Sequence, residues 1–163
     1  MLAVAEKRHG KNGRVVKLEE IDKLAGENYE LITIRQAFNY VSQENLEEVF
    51  TKMAKVLAAG GHFVFNSFIP LPDGTDRRYN VSHNNGVIAY TYEINDVVGN
   101  TVRHAQRSEI IDFGWEGWIP VLDINEFYQH APEDVVDLLN KCGFKAEAHI
   151  SGKSVCYHAR KSL

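Results

Sequence analysis

Cysteine is scarce in this sequence, and long apolar runs do not occur. The chain of 163 residues has only two cysteines, Cys142 and Cys156, which are too few for a disulfide framework and favour a reducing compartment. No stretch is long and apolar enough to cross a bilayer, so no membrane partner is predicted. The first ten residues, MLAVAEKRHG, lack the apolar core of a signal peptide. Together these absences predict a cytoplasmic protein.

Basic residues are not in excess. The sequence has 18 Lys and Arg against 22 Asp and Glu, and its net charge of -4 argues against a nucleic-acid partner, because phosphate binding requires a basic face. The seven histidines show no metal-ligand spacing, so no metal site is predicted. Neither a P-loop nor a GxGxxG fingerprint occurs in these residues. The length is sufficient for one domain with a core.

The most informative stretch, residues 29–68, predicts a strand, a helix and a second strand. Residues 29–34 are mostly apolar, as expected of a strand buried on both faces. Ser42 is a candidate helix cap, and apolar residues then recur at helical spacing. The pair Gly60-Gly61 is predicted to end this helix. Residues 62–68 return as a strand, and the right-handed crossover rule makes the two strands parallel.

The segments around this unit are simpler to interpret. Residues 1–8 predict a helix, residues 9–13 a turn and residues 15–18 a short strand. Residues 69–85, with two prolines and an Asp-Gly pair, predict a loop. Residues 87–98 and 101–112 predict two strands of a hairpin that turns at Gly99-Asn100.

The C-terminal part predicts a helix and a closing hairpin. Residues 113–123 place both tryptophans in a Gly-containing turn. A helix is predicted to start at Pro132 and to end at Gly143. Residues 144–150 and 154–159 then predict two paired strands.

Several of these segments resemble the class I S-adenosylmethionine-dependent methyltransferases. YELI, LAAGG and HFVF stand where that family has an acidic strand, a Gly-Gly turn and the next strand, and PEDVVDLLNKCGFKAEAHI resembles its ending. The opening phrase MLAVAEKR resembles a phrase from the middle of the family domain. The resemblance implies an α/β fold, with a Rossmann-like sheet of strand order 3-2-1-4-5-7-6 and an inserted antiparallel β-hairpin.

The resemblance covers nearly all of this chain but only the C-terminal two thirds or so of the family domain. It implies S-adenosylmethionine as the cofactor. The Gly-rich loop and acidic strand end that hold this cofactor in the family have no counterpart here, so the expected sheet and cofactor site are incomplete. We therefore expect residues 1–163 to form a single methyltransferase-like domain that lacks its N-terminal cofactor-binding strands. A truncated gene, a misplaced start and a fragment all fit this expectation.

The resemblance also implies roles for residues near the ends of the predicted strands. One of Glu19 and Glu20 would accept a hydrogen bond from the adenine amino group, and the following backbone amide, with Ile21, would meet the ring. Arg35 and Gln36 would lie nearest the methionine part of the cofactor. A solvated acidic turn and a surface arginine are the alternative interpretations.

On the acceptor side, the resemblance places Asn39 and Tyr40 against the substrate, with Phe38 and Tyr40 as packing residues in the alternative interpretation. Residues 69–123 are interpreted as an inserted loop and hairpin that forms a lid over the acceptor pocket or a homodimer contact, with packing for stability as the alternative. Tyr92 and Trp115 are candidate pocket residues on this insertion.

His104 is the best candidate for a catalytic base, because it lies on the presumed lid and a base assists methylation of an amine or hydroxyl. A structural strand histidine is the alternative.

Three functions are compatible with these residues. The first is methyl transfer to a small-molecule acceptor, with activity impaired in this chain. The second is a non-catalytic remnant that serves as a binding or dimerisation module. The third, a nucleotide-binding oxidoreductase, is the weakest, because no dinucleotide fingerprint is present.

Overall fold

A computed structural model of the chain describes residues 16–35, 37–84, 87–112 and 117–163. Its first sheet has four strands, in the order β1-β2-β8-β7. The bounds of these strands are β1 Tyr29–Ile34, β2 Leu57–Phe68, β7 Phe144–Ser151 and β8 Ser154–Lys161. Strands β1 and β2 are parallel, and the other two pairs are antiparallel. This order matches the 4-5-7-6 half of the sheet that the resemblance implies, and the predicted α/β fold class is confirmed.

In the described part of the chain, two helices and three short 3-10 turns cover one face of this sheet. Helix α1 spans Leu46–Val56 and helix α2 spans Pro132–Lys141, and the 3-10 turns span Leu18–Leu24, Phe38–Tyr40 and Gln43–Asn45. The predicted apolar spacing of α1 is confirmed, because its buried residues recur every three or four positions: Leu46, Phe50, Met53 and Val56. They pack with the inward face of the sheet into one core cluster that includes Phe63, Phe65, Val155 and Tyr157.

The region around Gly60-Gly61 differs from the prediction. Helix α1 ends at Val56, and Leu57 is already extended, so the glycine pair does not end the helix. The pair lies instead within β2, where the pairing with β1 shifts register between Tyr29 and Leu31. Gly60 has a φ of +75°, and a Cβ on Gly61 would lie 2.9 Å from the carbonyl oxygen of Ala58. The glycines therefore accommodate a bulge in the strand.

Two further predictions about the first sheet are wrong. Strand β1 is not buried on both faces: Leu31 is 57% exposed, and among the described residues β1 has only β2 as a neighbour. Residues 16–18 form no strand, because Leu18 opens a 3-10 turn whose buried members are Ile21 and Leu24. These two residues reach the core through helical spacing, whereas a strand would point alternate residues to solvent.

A second sheet is inserted between β2 and α2. It is a four-stranded antiparallel meander in the order β3-β4-β5-β6, with bounds β3 Gly74–Asn84, β4 Val87–Val98, β5 Thr101–Asp112 and β6 Gly117–Tyr128. The predicted hairpin of β4 and β5 is confirmed in both bounds and turn.

The predictions for the flanking segments of the insertion are wrong. Residues 74–84 form β3 and residues 117–123 begin β6, where the sequence predicts a loop and a turn. Polar residues along β3 obscure its period. The predicted helix at residues 1–8, the turn at residues 9–13 and Val15 lie outside the described residues.

Candidate functional site

A cavity of about 680 Å³ lies between the two sheets. One wall comes from the first sheet: Asn39 and Tyr40 follow β1, Phe68 ends β2 and Ile69 follows it, and residues 152–154 lie at the turn between β7 and β8. The carboxyl ends of two parallel strands therefore meet at this cleft, which is where open α/β sheets bind ligands.

The other wall of the cleft is one face of the second sheet. Side chains directly opposite one another share a face, and the register places two polar rows across the four strands. The first row is Asp76, Asn95, His104 and Asn125, and the second is Arg78, Glu93, Gln106 and Asp123. Six of these eight side chains line the cavity: Arg78, Glu93, Asn95, His104, Asp123 and Asn125. The face of the second sheet that is directed toward the first sheet is therefore polar, and it lines the cleft.

His104 is the titratable side chain with the most informative geometry. Its Nδ1 lies 2.8 Å from Oδ1 of Asn95, the residue opposite it on β4. An amide oxygen only accepts hydrogen bonds, so Nδ1 of His104 donates this one. In the neutral ring Nε2 is then the unprotonated nitrogen. No described residue makes a hydrogen bond to this Nε2, so it is available to accept a proton in the cleft.

Asn39 is a buried polar residue at the base of the cleft. It is 1% exposed, and its Nδ2 donates to the carbonyl oxygen of Tyr128 at 3.0 Å. Its Oδ1 is buried without a hydrogen-bond partner among the described residues. Burying an amide oxygen unpaired costs free energy, so a native site usually satisfies it. A hydroxyl or amino group bound near Asn39 would supply the missing donor.

Aromatic rings and one glutamine join the two sheets at this cleft. The rings of Phe68 and Phe127 approach to 5.9 Å between centroids, and His104 lies 6.2 Å from Phe127. Gln129 accepts a hydrogen bond from the backbone N–H of Leu71 at 2.9 Å and donates to the carbonyl oxygens of Leu71 and Gly99. These contacts hold the end of β2 and the β4–β5 turn in a fixed relation.

The predicted acceptor residues are partly brought together. Asn39, Tyr40 and His104 line the same cavity. Tyr92 lies on the opposite face of the second sheet, in a smaller hollow of about 350 Å³ with Tyr79, Tyr90, Arg107 and Glu109. Trp115 lies outside the described residues.

The predicted cofactor residues that the structure describes do not line this cavity. Glu20 pairs with Lys23 at 2.6 Å, and this hydrogen bond holds the pKa of its carboxyl below the usual range. Glu19 is exposed, with Lys17 at 3.6 Å, and Ile21 is buried in the core. Arg35 is exposed after β1, and Gln36 lies outside the described residues.

Among the described residues, no three His, Cys, Asp or Glu side chains form a group suited to a metal ion. No helix in the described part of the chain meets the length and hydropathy that a membrane span requires.

Sequence reasoning missed Asn95. Asparagine within a strand belongs to no motif, but the position of the hairpin turn is sufficient to predict which residue lies opposite His104. A two-residue turn at Gly99-Asn100 places Val98 opposite Thr101, and counting back along both strands places Asn95 opposite His104.

The comparisons with known proteins agree with the fold. A family model described as a methyltransferase domain matches residues 1–65. No curated protein sequence matches the chain.

Among solved structures, DesVI from Streptomyces venezuelae is 17% identical, with a TM-score of 0.72, over 84% of this chain and 60% of DesVI. CalS10 from Micromonospora echinaspora, a SAM-bound amino pentose methyltransferase, is 15% identical, with a TM-score of 0.68, over 82% of this chain and 59% of CalS10. KedS8 from Streptoalloteichus sp., a sugar N-methyltransferase, is 16% identical, with a TM-score of 0.72, over 98% of this chain and 67% of KedS8.

The chain spans about three fifths of the length of DesVI and CalS10. At these identities the structural matches establish the fold, and the family model adds a sequence match over the first 65 residues. The predicted resemblance is confirmed: this chain has the fold of the class I S-adenosylmethionine-dependent methyltransferases and matches their domain model in its N-terminal part.

Proposed function

We propose that this chain takes part in S-adenosylmethionine-dependent methyl transfer to a small polar molecule held in the cleft between the two sheets. One observation carries this proposal: His104 lines a polar cleft at the carboxyl ends of two parallel strands, and its Nδ1 hydrogen-bonds to Asn95, which makes Nε2 the proton acceptor of the neutral ring. A methyl acceptor that is an amine or a hydroxyl loses a proton as it is methylated, and a positioned histidine can accept that proton.

We propose an amino sugar as the acceptor class. Carboxylate and amide side chains of the cleft, among them Glu93, Asp123 and Asn125, suit the hydroxyl and amino groups of a sugar ring. Tyr40, Phe68 and Phe127 also line the cavity, and aromatic side chains suit the apolar side of such a ring. CalS10 and KedS8, which share the fold, act on an amino pentose and a sugar. Asn39 would supply the amide oxygen that lacks a donor.

The methyl donor is the second part of the proposal. When bound, S-adenosylmethionine would supply the methyl group on its sulfonium. The described residues do not form a complete pocket for it: Glu19 and Glu20 are occupied by lysines, and Ile21 is in the core. No GxGxG or GxGxxG motif occurs in these 163 residues. We therefore propose that residues 1–163 alone bind the cofactor weakly and are impaired in catalysis.

Methyl transfer can be tested directly with radiolabelled S-adenosylmethionine. The purified chain, at high concentration and with millimolar cofactor, is incubated with a panel of amino sugars and with the matching neutral sugars. We expect label in the amino sugars only, and a loss of about 10²-fold or more in the His104→Gln variant. His83→Gln is the matched control, because His83 lies on the opposite face of the second sheet. Equal labelling by wild type and His104→Gln would contradict the role of His104.

Cofactor affinity tests the incomplete site separately. Isothermal titration of residues 1–163 with S-adenosylhomocysteine should give no binding at micromolar concentrations. Micromolar binding would contradict the claim that these residues hold only part of the cofactor site.

A second candidate function is a non-catalytic module that binds a second copy of the chain. The face of the second sheet that turns away from the cleft exposes large apolar side chains: Tyr79 at 66%, Leu122 at 69% and Ile124 at 71%. Exposed apolar patches of this kind mark interaction surfaces. Light scattering after size-exclusion chromatography should then show a dimer that the Leu122→Glu variant converts to monomer. A monomeric wild-type chain at all concentrations would contradict this candidate.

A further inference from the structure

We infer that Asn95 is a positioning residue, which selects the tautomer of His104 that leaves Nε2 free. This inference rests on the proposed function, in which His104 accepts the acceptor's proton. It assigns a role to a residue for which neither the sequence motifs nor the predicted site provided one.

The geometry of the pair carries the inference. Asn95 is 6% exposed on β4 and lies directly opposite His104 on β5. Its Oδ1 is 2.8 Å from Nδ1 of His104. Which imidazole nitrogen is protonated is set by the hydrogen bond that the other nitrogen makes. Because Oδ1 accepts only, the proton of the neutral ring is held at Nδ1, and Nε2 keeps its lone pair.

The strand on the other side of His104 provides a natural comparison. Asn125 lies opposite His104 on β6, so the histidine has an asparagine on each side. Within the described ranges, only Asn95 makes a hydrogen bond to the ring. The charged groups that face the same cleft are Arg78, Glu93, Asp123 and Lys153, and Arg78 is held by Asp76 at 2.6 Å. None of them makes a hydrogen bond to His104 in the described part of the chain.

Replacement of Asn95 should therefore change which nitrogen of the His104 ring carries the proton, while His104 itself stays in place. A leucine side chain has a size close to that of asparagine but no hydrogen-bond acceptor, so Asn95→Leu frees Nδ1 and lets the proton move to Nε2. Asn95→Asp keeps an acceptor at the same position, so the Nδ1-protonated form should persist. If Asn95 had a purely structural role, Asn95→Leu and Asn95→Asp would not differ in the tautomer of His104.

The test is a long-range ¹H–¹⁵N NMR spectrum of the labelled chain, at a pH at which the ring is neutral. The signals of His104 are assigned from their loss in His104→Gln. Wild type and Asn95→Asp should show a protonated Nδ1 and an unprotonated Nε2, and Asn95→Leu should lose this pattern. Asn125→Leu is the matched control and should keep it. A protonated Nε2 in wild type would overturn the inference even if Asn95→Leu fails to fold.

Methyl transfer provides the second readout. Asn95→Leu should lower the rate by about tenfold or more, as loss of an orienting partner does, and Asn95→Asp should restore much of it. If the tautomer pattern holds but no variant and no wild type methylates a sugar, the proposed function fails and the assignment of Asn95 to the ring stands. If methylation occurs and Asn95→Leu leaves both tautomer and rate unchanged, the inference fails and the proposed function stands.

Discussion

The two sheets of this protein use their apolar residues in opposite ways. In the first sheet, apolar side chains such as Phe63, Phe65 and Tyr157 face helices α1 and α2 and are almost fully buried. In the second sheet, the face toward the rest of the molecule carries polar rows, and apolar side chains such as Leu122 and Ile124 are exposed. Burial against helices stabilises the first sheet, whereas the second sheet forms the wall of a cleft.

This difference explains how the second sheet is held. It has few buried apolar side chains among its described residues, with Val97 and Val102 at its end nearest the first sheet. Polar contacts at the join do much of the positioning, through Asn39, Gln129 and His130. We therefore expect core substitutions to act on stability, and substitutions in the second sheet to act on the cleft.

The largest expected effect compares one substitution in both regions. Leu139→Ala removes a side chain that is 0% exposed in helix α2 and should cost about 2–5 kcal/mol of unfolding free energy. Leu122→Ala, at 69% exposed, should cost less than about 0.5 kcal/mol. Urea denaturation of both variants at low protein concentration measures the two values. Similar losses for both would show that the exposed face is covered in solution.

A smaller effect is expected at the join between the sheets. Gln129→Ala removes three hydrogen bonds and leaves the backbone of Leu71 without its side-chain partner, so a loss of about 1–3 kcal/mol is expected. Gln106→Ala removes one hydrogen bond to Ser108 and serves as the control, with a loss of about 1 kcal/mol or less. Urea denaturation measures both losses, and a greater loss for Gln106→Ala would contradict the importance of this join.

The smallest effect is a pH dependence at His130. Burial lowers its pKa below 6.5, while its Nε2 lies 2.9 Å from the carbonyl oxygen of Val41. The unfolded chain binds the proton more readily, so this contribution to stability is complete above pH 6.5 and is lost as the pH falls through the lowered folded-state pKa. His130→Gln should flatten the stability curve below pH 6.5.

The opposite outcome is equally clear. A stability curve of His130→Gln that keeps the full wild-type slope below pH 6.5 would contradict the assignment of this pH dependence to His130.

The comparison of the sheets also explains which elements can be predicted from the sequence. Strand β2, helix α1 and helix α2 have apolar periods that burial enforces, and the sequence predicts all three apart from the boundary between α1 and β2. Strand β3 is not predicted from the sequence. Its residues Arg78 and Asn80 lie on the cleft side of the sheet, whereas Tyr79 and Val81 are exposed on the opposite side. With polar residues facing inward, its alternation resembles a loop.

The candidate site follows the same logic. The resemblance and the hairpin predict Tyr40 and His104 near the acceptor, and both line the cleft. Tyr92 is predicted beside them, but the register of the hairpin places it opposite Arg107, on the other face from His104. Which of these two faces meets the first sheet depends on the packing of the two sheets, which is a tertiary contact and not a local pattern.

The central claim, that the cleft between the sheets holds an amino sugar, is tested most directly by mapping the bound ligand. Backbone and side-chain amide signals of labelled protein are recorded during titration with glucosamine, and glucose serves as the neutral control. We predict concentration-dependent shifts at Asn39, Asn95 and Asn125, larger for glucosamine than for glucose. Shifts confined to the opposite face of the second sheet, around Tyr79 and Tyr92, would contradict the claim.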